Sequence, residues 1–386
     1  MASFFGFLKR NNMITNPPEA PKDVDVLRFG LLGASRIAVN AVITPAKSHP
    51  GVVIVAVSSR DKVKADQYAK KHAIQTVYSG QDAYQKLIDD PAVDIIYNAL
   101  PNGLHFEWTM RALRGGKHVL LEKPCADTAE EARKMFEYAA SKNLVLLEGY
   151  HHRFHPAIQR IKEIVDSGEL GKIKSVHSEF CVPKGFFIPK VDIRWDYDLG
   201  GGASMDLGVY TLDSLRYITS SNPLEVVSAK STSHLNDAKI DRRMEATFAF
   251  PSDISADTVI DLQEPGWGPF NLIPHVVKNS MCIKLEGGEI NHYGLTLPHL
   301  FHNIKVKPTK GAARTEKAYK FKSGLGEEWW SSYRYQLEGF VEHVRGRKPQ
   351  AWVPAEESIA QIEWTEKTYL KAGLPVRPAS SYVLPE

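Results

Sequence analysis

The sequence predicts an α/β protein in two parts behind a tail of residues 1–24. A doubly wound parallel sheet is expected over 25–150, and an α+β part with a largely antiparallel open sheet over 151–386. Three observations predict it. Up to about residue 150, short apolar runs alternate with helix-length segments through short connections, the pattern of βαβ units. The first run stops at Gly33 and passes at once into a helical stretch, as at the phosphate end of a dinucleotide-binding unit. Beyond residue 150, longer segments alternate apolar and polar, as strands with one covered face do.

The elements follow in order. Asn16-Pro17-Pro18-Glu19-Ala20-Pro21 is a stiff leader. Residues 27–32 are too short for a helix and read as a buried parallel strand. The helix expected over 36–47 carries Ile37, Ala38, Ala41 and Val42 on one face. Residues 52–57 are the second strand, and Asp61 caps a helix to about His72. Ser79 reads as the cap of a helix ending before Asp89-Asp90-Pro91. A strand over 93–98 leads into the loop Leu100-Pro101-Asn102-Gly103, and a helix over 104–114 stops at Gly115-Gly116. Residues 118–121 are a strand, Asp127 caps a helix over 128–141, and 144–147 are a further strand. A helix follows near 156–166. Residues 244–250 and 281–286 then alternate, and helices near 327–344 and 355–370 close the chain, the last able to pack back on the first part.

The first turn, Gly33-Ala34-Ser35-Arg36-Ile37-Ala38, follows G-x-G-x-x-G/A with serine for the second glycine. Serine is small enough for close approach to a phosphate and adds a hydroxyl donor. An NAD site places an acid at the end of the second strand, to hold the ribose. Here that end reads Ser58-Ser59-Arg60, and the nearest carboxylate, Asp61, is a helix cap. Arg60 beside two hydroxyls suits a 2′-phosphate, so the cofactor expected is NADP. Lys123 follows the strand over 118–121, where nicotinamide and substrate would meet. Asp206 and Tyr210 are four apart after Gly200-Gly201-Gly202 and would share a helix face. A lysine ammonium beside Tyr210 would lower its pKa below the ~10 of free tyrosine and favour proton removal.

Gly33 to Ala38, Leu100-Pro101-Asn102 with His105, Gly116 to Pro124, and Gly201 to Tyr210 together resemble the glucose–fructose oxidoreductase/inositol dehydrogenase/MocA-like family. The resemblance spans about residues 25–375. Residues 147–156 and Asp206-x-Gly208-x-Tyr210 are most similar to its NADP-dependent D-xylose dehydrogenase and dimeric dihydrodiol dehydrogenase branch. It implies a Rossmann domain, with Lys123, Tyr210 and Asp206 as catalytic residues. Cofactor contacts are implied at Gly33, Ala34, Ser35, Arg36 and Ile37, at Ser59 and Arg60, and at Leu100, Pro101, Asn102, His105 and Glu122. Substrate contacts are expected at His151, Arg153, Arg194 and Trp195. A structural ion pair is the other reading of Arg194-Trp195-Asp196, and strand-end anchoring or a substrate contact are the others for Glu122. His151 stands where mammalian dihydrodiol dehydrogenases tend to have tryptophan, which points to a more polar pocket and a sugar. The implied activity is oxidation of an aldose at C1, D-xylose before others, by a homodimer. The alternatives are a trans-dihydrodiol dehydrogenase and a cofactor-sensing regulator of the same fold.

Composition sets the remaining bounds. A length of 386 residues argues for two domains, and 43% hydrophobic with 24% charged residues is ordinary for a soluble protein. A net charge of +3 without a basic block gives no footprint for nucleic acid, and no apolar run is long enough for a membrane span. Cys125, Cys181 and Cys282 are few and scattered, so a reducing, cytoplasmic location is expected. Residues 1–10 read as a docked or loose tail rather than a targeting peptide. His151, His152 and His155 lack a third ligand at metal spacing, so no metal is expected. Trp329, Trp330, Tyr333 and Tyr335 read as packing at a helix start, and the outer face of the second sheet as partly apolar.

Overall fold

The computed structural model describes residues 2–185, 188–189 and 192–385. Two sheets organise the chain. The first is all parallel, with β1 (Leu27–Leu32), β2 (Val52–Ser59), β3 (Thr76–Ser79), β4 (Ile95–Asn98), β5 (His118–Leu121) and β6 (Leu146–Glu148) in the order β3-β2-β1-β4-β5-β6. The strand order reverses between β1 and β4, so their carboxyl ends diverge around a crevice, the place where open α/β sheets take ligands. Phe29, Leu31, Leu32, Ile95 and Ile96 are fully buried, as strands covered by helices on both faces must be.

The second sheet comprises β7 (Ile173–Pro183), β8 (Glu225–His234), β9 (Asp237–Phe250), β10 (Ile254–Glu264), β11 (Lys278–Leu285), β12 (Gly288–Tyr293), β13 (Asn303–Pro308) and β14 (Arg314–Glu316). Its order is β14-β13-β12-β11-β7-β10-β9-β8, antiparallel except for the β7–β10 pair. Val176, Phe248, Met281 and Ile283 on the inner face pack with Ile158 and Ile161 from the helix Pro156–Asp166 and with Leu215 from the helix Val209–Thr219. The outer face differs from expectation. It presents His177, Arg243, Glu245, Asp257 and Lys284, with ion pairs between His177 and Asp257 and between Arg243 and Glu245. Such a face is solvated and needs no apolar cover.

Local structure corrects three further readings. Ser79 ends β3, and the next helix, Ala83–Ile88, starts after Asp82. The helix expected from 327 begins at Ser332. Thr128, not Asp127, caps the helix Ala129–Ser141, in a capping box with Glu131. Asp127 is instead buried beneath the glycine turn, with neither carboxyl oxygen hydrogen-bonded among the described residues. Burial, with Glu131 adding to it and Arg377 opposing, pushes its pKa up to about 8.

Between the ordinary 3.8 and about 8, the folded protein holds a proton that the unfolded chain has released, so stability falls as pH rises through that window. Asp127→Asn removes the titration. Its advantage in thermal midpoint should grow from pH 4 towards pH 8 and reach at least ~2 °C. A difference that does not change with pH would refute the assignment.

The two ends of the chain bind the body. The helix Ala2–Thr15 docks through Arg10, which donates to the carbonyls of His299 and Leu300 and lies 3.7 Å over the Tyr319 ring. The helix Ala355–Lys371 returns to the first sheet's helices, where Glu363 pairs with Arg133 and Glu366 accepts from the Ala129 amide. After it, the fully buried Arg377 donates to the Gly201 carbonyl at 2.6 Å and to Asp241 at 2.8 Å.

Candidate active site

Loops leaving β1, β4 and β5 face the start of the helix Val209–Thr219 across a cleft of about 330 Å³. The β1 loop is shaped for close approach. Gly33 has φ +84°, and a Cβ there would sit 3.1 Å from Leu100. Ser35 Oγ accepts from the Ala38 amide and so opens the helical run to Lys47, whose middle turn, Val39–Ile43, is π-helical. The Ser35 hydroxyl hydrogen stays free for a phosphate oxygen. Arg36 is exposed beside it. At the end of β2, Ser59 Oγ accepts from the Asp61 amide, Asp61 caps its helix through the Lys64 amide, and Arg60 is exposed. The one carboxylate beside this strand end, Asp61, is engaged through Oδ1 as a helix cap, and the arginine next to it suits a 2′-phosphate.

The opposite wall comes from the glycine turn. Gly200 has φ +72°, and a Cβ on it would meet Asp127 at 2.1 Å. Gly201 is fixed by Arg377, and Ser204 accepts a lock from the other direction, since its amide and hydroxyl both donate to Asp241 at 2.7 Å. A π-helical turn, Ser204–Gly208, then delivers Asp206 and Tyr210 to the cleft. Asp206 accepts from Lys123 Nζ at 2.8 Å through one oxygen and from Arg194 Nε at 2.6 Å through the other. Burial opposes this carboxylate's charge, but the two cations outweigh it and hold Asp206 well below the usual carboxylate range. Lys123 also donates to the Asp206 carbonyl at 2.9 Å, so two of its three ammonium protons are committed and one is left for the cleft.

Tyr210 departs from expectation. Lys123 lies over the face of its ring, 5.1 Å from the centroid, while two of its three ammonium protons go to Asp206 and none to the phenol oxygen. Burial, reinforced by the charges of Glu122 and Asp206, pushes the phenol well above its usual 10. Phenolate is therefore scarce at neutral pH. The hydroxyl instead meets His151 Nε2 at 3.2 Å.

Several residues expected at the ligands stand elsewhere. His151 lies behind Tyr210, stacked on Tyr333 with centroids 3.9 Å apart, and does not line the cleft, so it does not set the pocket's polarity. Lys123, Arg194, Asn102 and Thr296 do that, against Ile37, Phe180 and Leu297. Arg153 is buried away from the cleft in an ion pair with Asp213 and Glu357. Trp195 stacks on His234 at 4.4 Å, also outside the cleft. His105 lines it, but both ring nitrogens lie 2.8 Å from carbonyls, of Pro124 and Leu100, so it braces two loops. Glu122 accepts from Tyr97 at 2.6 Å and from the Lys123 amide, which anchors the strand end. Asn102 Nδ2 donates to the Gly200 carbonyl and ties the two walls together. Tyr333, read as packing, lines the cleft. His152 pairs with Asp213 and His155 caps its own helix. Among the described residues no group of three or more His, Cys, Asp or Glu is placed to hold a metal. No described helix is long and apolar enough to cross a membrane.

Comparison with known proteins gives this geometry its kin. A model described as "Oxidoreductase family, NAD-binding Rossmann fold" matches residues 27–150, and one for the GFO/IDH/MocA C-terminal domain matches 158–269. A D-xylose 1-dehydrogenase (NADP(+)) 2 from Haloferax volcanii is 36% identical over 352 residues, covering 90% of this chain and 97% of that protein. The chain belongs to the GFO/IDH/MocA oxidoreductase family. A dTDP-3,4-didehydro-2,6-dideoxy-alpha-D-glucose 3-reductase from Saccharopolyspora spinosa is 27% identical over 91% of this chain and 89% of its own. The crystal structure of an aldose-aldose oxidoreductase from Caulobacter crescentus shares the fold, with a TM-score of 0.75 at 23% identity over 90% of this chain and 98% of that one. Within the GFO/IDH/MocA frame, Phe180, Thr296 and Leu297 are cleft residues that no sequence motif marks, because β7 and the segment after β12 reach the site only through the fold of the second sheet.

Proposed function

We propose that this oxidoreductase oxidises an aldose, D-xylose before others, at C1 to its lactone. One observation carries the reading: Lys123, fixed by Asp206 with one proton to spare, and Tyr210 line the same cleft at the carboxyl ends of the parallel strands. The cofactor is NADP, which when bound supplies the hydride acceptor. Ser35, Ile37 and the helix start would hold its pyrophosphate, and Arg60 its 2′-phosphate. Lys123 donates to the C1 oxygen of the sugar and orients it, Tyr210 Oη takes the C1 hydroxyl proton while giving up its own hydroxyl proton, and Arg194 keeps Asp206 charged. The C1–H bond breaks with its electron pair, a C=O bond forms, and the lactone leaves.

A panel of aldoses and a trans-dihydrodiol, each with NADP and with NAD, tests this by NADPH or NADH absorbance. Fastest turnover of D-xylose with NADP supports it. Turnover of the diol alone replaces the substrate, and no turnover of any member favours a sensor. Arg60→Ala should weaken NADP by roughly 1.5–3 kcal/mol, one charge-assisted contact, and spare NAD. Equal loss for both in a titration would remove the 2′-phosphate assignment. The three cysteines are all free thiols, in keeping with a reducing compartment such as the cytoplasm. A homodimer is the assembly proposed, as the family resemblance implies, with no apolar outer face of the second sheet to drive it. A sedimentation mass near 43.2 kDa at micromolar concentration would exclude it.

A further inference from the structure

Behind Tyr210 runs an unbroken line of polar contacts, 2.8 to 3.2 Å apart, that the chemistry above does not use. Tyr210 Oη meets His151 Nε2 at 3.2 Å, His151 Nδ1 meets Ser332 Oγ at 2.8 Å, and Ser332 Oγ meets His299 Nδ1 at 2.8 Å. All four side chains are buried. A backbone group sets the polarity of the whole line. The Ser332 amide donates to His299 Nδ1 at 3.3 Å, so that nitrogen carries no hydrogen and accepts. Ser332 Oγ–H must therefore donate to it, which leaves Oγ to accept from His151 Nδ1–H. His151 Nε2 is then bare and accepts from the Tyr210 hydroxyl. Every hydrogen points away from the cleft.

The far end is a second cavity, of about 330 Å³, beneath the N-terminal helix, lined by Ile14, Thr15 and His299. Leu297 and Tyr333 line both spaces and stand between them. Arg10 holds the helix there by its bonds to the carbonyls of His299 and Leu300.

We infer that His151, Ser332 and His299 are positioning residues forming a proton relay that carries the proton released at Tyr210 to this second cavity. The inference rests on Tyr210 as the acid/base of the reaction. As Tyr210 Oη takes the substrate proton, its own passes to His151 Nε2. The Nδ1 proton of His151 moves to Ser332 Oγ, the Ser332 proton to His299 Nδ1, and the Nε2 proton of His299 to water in the cavity. One proton enters, one leaves, and no group ends charged. The relay thus lets a phenol that burial keeps neutral act as a base. The groups facing His151 are His152 on its own turn, Tyr210, Lys123, Tyr333 and His299. Burial, followed by His152, His299 and Lys123, drives its pKa well below 6.5, and burial takes His299 to about 3. Both rings pass a proton without keeping it.

Single-turnover hydride transfer from D-xylose to pre-bound NADP tests the relay in Ser332→Ala, Ser332→Thr, His299→Gln and Tyr210→Phe. Ser332→Ala and His299→Gln should each slow transfer ~10-fold or more, with NADP affinity unchanged. Ser332→Thr, which keeps the hydroxyl, should restore the rate. Added imidazole, small enough to enter a cavity and shuttle a proton, should speed Ser332→Ala in proportion to its concentration and leave wild type unaffected. Wild-type rates in Ser332→Ala, or a loss that neither threonine nor imidazole repairs, would overturn the relay while a dead Tyr210→Phe upholds the acid/base. A fully active Tyr210→Phe enzyme would remove both.

Discussion

Tyr210→Phe should lower kcat for aldose oxidation by ~10²–10⁴-fold, the range expected when a general acid/base is removed. The substitution deletes one oxygen whose described hydrogen bond, to His151, is long at 3.2 Å. The ring keeps its packing against Phe180 and its place beneath Lys123, so folding and NADP affinity should survive. The orphaned His151 nitrogen costs about 1–3 kcal/mol of stability, tolerable for a protein of this size. Because burial holds the phenol above its usual pKa, the wild-type pH profile of hydride transfer should show no phenol ionisation below about pH 10. Single-turnover transfer to pre-bound NADP decides the matter. A variant that binds NADP normally and transfers at near wild-type rate would make Tyr210 a packing residue.

Lys123→Met should do comparable damage, ~10²-fold or more in kcat, by a different route. Methionine fills the same space but cannot hold the C1 oxygen. Arg194 remains on Asp206, so the carboxylate stays paired and the π-helical turn should hold. The double variant should cost little more than either alone, since residues that work as one unit are not additive. Penalties that multiply in the double-mutant cycle would show that lysine and tyrosine act independently.

Much of this was legible in the sequence. The parallel sheet followed from apolar runs cut by glycine, and Lys123, Asp206 and Tyr210 lie together because short-range rules reach them: a strand end, a glycine turn, a four-residue step. The misreadings have a common origin. Sequence pairs Lys123 with the tyrosine because proximity in a cleft is legible, whereas its commitment to Asp206, 83 residues away, is not. The resemblance implies substrate contacts at His151 and Arg153, yet Ser332 and Asp213 claim them. Asp127 looked like a cap because Thr128 beside it is equally able to cap. The outer face of the second sheet was judged from alternation alone, which shows that one face is covered but not how polar the other is.

Arg377 has a consequence for how the site comes into being. Its guanidinium, 176 residues after Gly201, ties down the turn from which Asp206 and Tyr210 project. On a ribosome both sheets can be finished while Arg377 is still inside the exit tunnel, and a chain at that stage has a cofactor cradle but an unanchored wall opposite it. Competence to react thus arrives only once Arg377 can reach the Gly201 carbonyl. A nascent chain can take up dinucleotide early, but its chemistry waits for a residue 176 positions beyond the turn it secures.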